Sequence, residues 1–316
     1  MSASSADKPA IAVVGAGSVG GLVAALLARG GNDVRVLARG ATLAAILERG
    51  LRICGPGDDD TVPIRRAADE ASALGAADIV IVAVKTWQLA ELAPRLAPLL
   101  GPQTLVVPMQ NGVEAADTLA RALGEGHVIG GVCRVIAWVE RPGEIHWMGA
   151  PLSLTIGARL AGQRAAVDGC AATLRSGGIE VVVAHDIARA VWLKLMFLAP
   201  FGAVGAIERT PIGGLRQRPE LRARIESAMH EIAALAAARS VALPADSVAA
   251  AMHRLDELPE DATTSMHRDI VAGRPSELDE LIGAVVRLGR EAQIATPVSA
   301  ELYARLEPLE RRARTG

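Results

Sequence analysis

Three groups of residues carry chemistry that packing alone does not require. Gly15, Gly17 and Gly20 form a G-x-G-x-x-G pattern, with Ala16, Ser18 and Val19 between them. The first glycine permits a tight turn, the second lets backbone approach a pyrophosphate, and the third lets a helix pack closely on a strand. The helix N-terminus then offers N–H groups and a positive dipole end to the phosphates. The pattern is informative only between a strand and a helix. Ile11–Val14 is a short apolar run and Leu22–Ala28 an apolar, Ala-rich helix, so that context is present. The plainer alternative is a glycine turn with no ligand. Arg39 follows the second strand, Asp33–Leu37, where NAD enzymes place an acid for the ribose 2′-hydroxyl. A guanidinium suits a 2′-phosphate instead, which favours NADP. Its alternative use is the first solvated charge after a buried strand. Lys194 is the only charge between Val191 and Ile207. Burial among Trp192, Leu193, Leu195 and Met196 would lower its pKa toward the range of a proton donor, unless a carboxylate opposes the shift. A packed stem with a head that snorkels to solvent is the alternative.

Four further positions are read more weakly. Lys85 ends a buried strand, the usual place for ligand contact in an open α/β sheet; the plainer alternative is a surface lysine at a strand end. Asn111 stands in an Asn-Gly pair, an ordinary turn on its own. Ser265 could cap a helix near Met266. Ser276-Glu277-Leu278-Asp279 fits a helix N-cap followed by acids in the first turn, although Glu277 also falls at the edge of an apolar face.

The elements that must hold these residues follow from periodicity. Strand, glycine turn, helix and strand succeed one another, the βαβ order of a parallel sheet. Asp78–Val84 and Thr104–Pro108 continue it as strands, with helices expected over Trp87–Leu100 and Val113–Ala122. Val128–Glu140, Glu144–Trp147 and Leu152–Ile156 read as β segments; a helix over Arg164–Ser176 and a strand at Glu180–Val183 close the domain. From Asp186 onward nearly everything is helical: a buried helix over Ile187–Leu198 followed by a bend, then Glu220–Arg239, Leu278–Glu291 and Pro297–Arg311. The expectation is an α/β fold: an N-terminal Rossmann-type doubly wound sheet over residues 1–185, of which 1–9 are a loose tail, and a C-terminal all-helical domain over 186–316.

Composition excludes several classes. The 316 residues are 51% hydrophobic and 22% charged, with a net charge of −2, so no basic footprint of a nucleic-acid binder is present. Aromatics are 2%, which leaves the core to Ala, Val, Leu and Ile. Cys54, Cys133 and Cys170 are far apart, odd in number and form no C-x-x-C pair, which argues against a disulfide framework or a zinc site and fits a reducing cytoplasm. His146 lies in a β segment and reads as structural, as do the four tryptophans. The apolar stretch after Val191 contains Lys194, Pro200, Gly202 and Gly205 and reads as a buried helix rather than a membrane span.

Taken together the motifs resemble the ketopantoate reductase family nearly end to end. They are Gly15–Gly20 with Arg39, Val84-Lys-Thr-Trp-Gln-Leu89, Met109-Gln-Asn-Gly-Val113, Pro142-Gly143 with His146, Trp192-Leu-Lys-Leu195, Ser265-Met266, and Gly273-Arg-Pro-Ser-Glu-Leu-Asp279 running into Gly283–Gly289. The resemblance implies NADPH-dependent reduction of a small-molecule 2-oxo acid in a cleft between the two domains. Lys194 would be the general acid. Lys85, Asn111 and Glu277 would lie along the cofactor, with Asn111 and Ser265 at the substrate. The family motif has asparagines four and eight residues after the lysine; here they are Leu198 and Gly202. That departure points to a bulkier, more apolar oxo acid that fills the space beside Gly202. A related dehydrogenase on a different acid and a non-catalytic nucleotide sensor remain as alternatives. A homodimer through the helical domain, with Glu220–Arg239 as its surface, is compatible with this build.

Overall fold

The computed structural model describes residues 8–315, so most of the tail expected over 1–9 lies outside the described residues. The chain divides into two compact units. One comprises residues up to Gln110 and Glu114–Ile187; the other comprises Asn111–Val113 and Ala188 onward. The short Asn111–Val113 segment is therefore separated from its sequence neighbours, which a single cut near residue 185 does not anticipate.

The first unit is built on two sheets. Strands β1 (Ala10–Val14), β2 (Asp33–Leu37), β5 (Arg66–Ala68), β6 (Ala77–Val82) and β7 (Leu100–Pro108) form a parallel sheet in the order β5-β2-β1-β6-β7. Ile11 and Val13 face one core, Ala12 and Val14 another. Such burial on both faces is why these strands read as continuous apolar runs. The order reverses between β1 and β6, and open α/β sheets take ligands beyond the strand ends at such a reversal. Helix α1 (Ser18–Arg29) covers one face, with α5 (Arg164–Ser176) contributing to the same apolar core, and α3 (Leu89–Leu92) and α4 (Ala115–Leu123) cover the other.

A hairpin of β3 (Leu51–Gly55) and β4 (Asp58–Val62), reached through α2 (Gly40–Arg49), was not evident from periodicity. It joins β8 (Gly130–Arg141), β9 (Glu144–Gly157) and β10 (Glu180–Val183) in a second sheet. The two segments expected at Glu144–Trp147 and Leu152–Ile156 are one strand, β9. The helix expected over Trp87–Leu100 is broken instead into a 3₁₀ turn, the four-residue α3 and a second 3₁₀ stretch containing Pro94 and Pro98. Each proline lacks the N–H that a regular helix needs.

The second unit is helical: α6 (Ile187–Glu208), α7 (Ile212–Arg216), α8 (Pro219–Ala238), α9 (Ser247–Glu257), α10 (Ser265–Val271), α11 (Ile282–Glu291) and α12 (Pro297–Thr315). In place of a helix that ends at Leu198, α6 continues through Pro200 to Glu208. It is long and apolar enough to cross a membrane, but 61% of its most apolar window is buried within the protein. Leu195, Met196, Ala199, Phe201 and Val204 are all core residues of this unit. Tertiary packing of this kind offsets the hydrogen bond that Pro200 cannot make.

Candidate active site

The glycine turn divides its tasks as the spacing predicts. Gly15 has φ +90°, and a Cβ there would lie 2.7 Å from a Val84 methyl. At Gly20 a Cβ would meet the Gly15 carbonyl oxygen at 1.9 Å. At Gly17 a Cβ would meet nothing within 4 Å, so this is the place where backbone faces open space. Gly17 is the N-cap of α1, and no side chain caps the helix. The first-turn amides of Ser18, Val19 and Gly20 are thus left to a ligand. The residues fit a dinucleotide pyrophosphate.

A groove runs from Gly15 and Gly17 to Arg39, with Thr42 and Arg95 in its lining. Arg95 is paired with Glu70 at 2.8 Å. Arg39 is exposed and stands outside every described ion pair. Of the two guanidiniums, Arg39 is therefore the one available to a phosphate. Thr42 and Arg95 were not found from sequence, since both sit on helices where a polar residue carries no signal.

Lys85 is exposed just beyond β6, its ammonium 5.5 Å from the centre of the Trp87 ring. Its loop is tied down by a residue that sequence reasoning passed over. Gln110, 7% exposed, donates from Nε2 to the carbonyls of Val82 and Val84, both at 2.9 Å.

In the second unit Asn111 and Glu277, 166 positions apart, are joined. Asn111 Nδ2 donates to Glu277 Oε2 at 2.6 Å. Gly112, with φ +91°, makes the approach feasible, because a Cβ there would lie 2.6 Å from the Glu280 carbonyl oxygen. Glu277 is 7% exposed. It is not on a helix: α11 starts only at Ile282, and Ser276 is not its N-cap. The segment is held as a turn by α12. The Ser276 amide donates to both carboxylate oxygens of Glu310 at 3.0 Å, and its hydroxyl donates to Glu310 as well. Arg314 pairs with Glu310 at 2.7 Å and donates to the Ser276 carbonyl at 3.0 Å. Tyr303 donates to Asp279 at 2.7 Å. The Ser276 hydroxyl also accepts from the Leu278 amide at 3.3 Å, and the regular helix begins only at Ile282. Beside this turn, burial pushes the Glu280 carboxyl up to about 7, reinforced by Asp279 and Glu277.

Ser276 and Glu310 are 0% and 3% exposed. Removing Glu310 strands the buried Ser276 amide and hydroxyl, at about 1–3 kcal/mol for each donor left without its partner. Glu310→Ala should lower stability by that order in denaturant unfolding and reduce turnover by loosening Glu277. Wild-type stability in this variant would show the clamp to be idle.

Lys194 is half-buried on α6, flanked by the buried Trp192, Leu195 and Met196. Leu198, one turn on, is also half-buried. Ser265 is exposed at the first position of α10; the cap is Thr264, whose hydroxyl accepts from the His267 amide at 3.1 Å. The space expected beside Gly202 is filled. A Cβ there would meet Thr264 Oγ1 at 2.5 Å and Met266 Cε at 2.9 Å. Gly202 thus serves close packing of α6 on α10, and neither an asparagine nor extra substrate bulk fits there. Leu198 alone remains as a departure open to a ligand.

Fold and glycine turn together define a dinucleotide-binding Rossmann unit joined to a helical unit. Comparison with known proteins makes this specific. The ketopantoate reductase PanE/ApbA family model matches residues 11–160, and the C-terminal model of that family matches residues 186–310. The chain belongs to the ketopantoate reductase family. A 2-dehydropantoate 2-reductase of Mesorhizobium japonicum is 33% identical over 257 residues, 74% of this chain and 78% of its own length. The crystal structure of a PanE/ApbA family ketopantoate reductase from Ralstonia eutropha JMP134 is 31% identical with a TM-score of 0.86, covering 96% of this chain and 99% of that one. A D-mandelate dehydrogenase solved with NADH and anilino(oxo)acetate has a TM-score of 0.87 at 22% identity, covering 96% and 99%, a likeness of fold. The protein is an oxidoreductase of the CH–OH group that uses a nicotinamide cofactor and a small oxo acid.

Proposed function

We propose that the protein reduces a 2-oxo acid to the 2-hydroxy acid with NADPH, as a 2-dehydropantoate 2-reductase. The observation that carries the cofactor choice is the groove from the Gly15–Gly17 turn to Arg39, a residue with no acid beside it in the sequence after the second strand. The α1 amides and Gly17 hold the pyrophosphate, Arg39 the 2′-phosphate, and Lys85 the ribose. Asn111 and Glu277 hold the nicotinamide end, with Asn111 and Ser265 at the substrate. When bound, the reduced nicotinamide supplies the hydride. Lys194 stabilises the charge that develops on the substrate oxygen and gives it a proton.

A panel of 2-oxo acids assayed with NADPH and with NADH tests the whole reading. One charge-assisted contact is worth about 1.5–3 kcal/mol, so NADPH should be preferred by at least about tenfold. Arg39→Ala should erase most of that preference. Equal use of both cofactors by the wild type would make Arg39 a mere surface charge. A second reading, a more apolar 2-oxo acid, is favoured by the half-buried Leu198. It fails if 2-dehydropantoate has the highest kcat/KM and Leu198→Asn does not improve it.

A further inference from the structure

The outward face of the second sheet brings sulfur, nitrogen and oxygen donors together from separate strands. In β3, Leu51 and Ile53 are fully buried, so strand alternation turns Arg52 and Cys54 to the other face. In β9, Ile145 does the same for its neighbours His146 and Glu144. The parallel register sets Cys54 opposite His146 and Arg52 opposite Glu144. Cys54 Sγ, a His146 ring nitrogen and a Glu144 carboxylate oxygen all lie within 4.8 Å of one another. Asp59, the partner of Cys54 on β4, brings Oδ1 to 3.7 Å from the sulfur.

We propose that Cys54, Glu144 and His146, with Asp59 as fourth donor, bind one divalent cation of the zinc type. Thiolate, imidazole and carboxylate are the donor set that zinc takes, whereas calcium and magnesium take oxygen alone. Tetrahedral zinc separates its donors by about 3.3–3.8 Å at its usual bond lengths. The present spacing therefore needs rotamer adjustments rather than backbone movement. His146 Nε2 now lies 2.9 Å from Glu144 Oε1, a hydrogen bond that is exchanged for two bonds to the ion. The Cys54 thiol releases its proton to solvent as its sulfur binds; nothing is oxidised or reduced. The Trp138 ring packs beside the imidazole, with ring centres 5.6 Å apart.

Charge is compatible with this. A dication with a thiolate and two carboxylates leaves one negative charge, and guanidiniums stand by to balance it. Arg52 reaches Asp59 at 3.1 Å, and Arg141 reaches Glu144 at 2.7 Å. Their side chains are 42% and 62% exposed, so both can turn toward water as the ion enters. Four protein donors make a closed, structural site rather than a catalytic one. Its effect is to cross-link the edge hairpin of β3 and β4 to β9.

The test uses full-length, tag-free protein stripped with a chelator and titrated with Zn²⁺ or Co²⁺. We expect one ion per chain and a thermal midpoint that rises with Zn²⁺, because binding favours the folded state. The Co²⁺ form should show a sulfur-to-metal charge-transfer band. Cys133 and Cys170 are 6% and 3% exposed, so that band reports on Cys54. Cys54→Ser should abolish the band, and His146→Ala should weaken Zn²⁺ binding at least about tenfold. Both positions face outward, and an unchanged circular dichroism spectrum verifies the fold. Glu144→Gln, which keeps the shape of the side chain, provides a third variant with the same expected weakening. The proposal is overturned if the wild type binds no Zn²⁺, if Co²⁺ binds without the band, or if the variants bind as the wild type does.

Discussion

Replacing Lys194 with alanine should lower kcat at least about a hundredfold, the usual scale for a lost acid–base group. The lysine is half-buried on α6, next in sequence to the core residues Trp192, Leu195 and Met196. Stability should change little, because a half-buried stem contributes modest packing. Cofactor affinity should hold as well, since the glycine turn and Arg39 supply the phosphate contacts. Lys194→Arg separates two uses of the charge. A guanidinium stays ionised and cannot deliver a proton. If arginine restores turnover, Lys194 acts by electrostatics alone; if alanine keeps turnover within tenfold of wild type, it has no role in the chemistry. Both are read from steady-state kinetics on the best acid of the panel.

The second large effect distinguishes two glycines that the motif treats alike. Gly20→Ala places a Cβ 1.9 Å from the Gly15 carbonyl oxygen and 2.9 Å from the Ala83 methyl. Backbone must move, and overpacking of this kind costs about 1–3 kcal/mol or more. The variant should lose both thermal stability and nucleotide affinity. Gly17→Ala meets nothing within 4 Å. It should melt with the wild type and yet bind NADPH at least about tenfold more weakly, since its methyl occupies the approach to the α1 amides. The readouts are the melting midpoint without nucleotide and the Kd for NADPH. Wild-type affinity in Gly17→Ala would move the phosphates away from this turn.

How much was legible in the sequence depends on the range of the interactions involved. The glycine turn, β1, α1 and β2 were readable because they are local: Gly15 to Leu37 is one contiguous unit whose turn, helix and strands each impose their own pattern. The helical character after Asp186 and the isolation of Lys194 were readable for the same reason. Register between distant strands leaves no such trace. Cys54 and His146 look unrelated in sequence, and only the β3–β9 pairing sets them opposite each other.

Tertiary contacts also overruled local preference in particular places. Ser276-Glu277-Leu278-Asp279 has the composition of a helix start, but it forms a turn tied to Glu310 and Asn111, and the helix begins at Ile282. Gly202 looks like space for substrate and is the point where α6 meets Thr264 and Met266. By itself the sequence determined the class of fold, the nucleotide turn and the residues able to do chemistry, since composition and short-range spacing encode them. Which of those residues meet, and which gaps are filled, was decided by the tertiary structure, because each such contact joins segments whose separation no local pattern records.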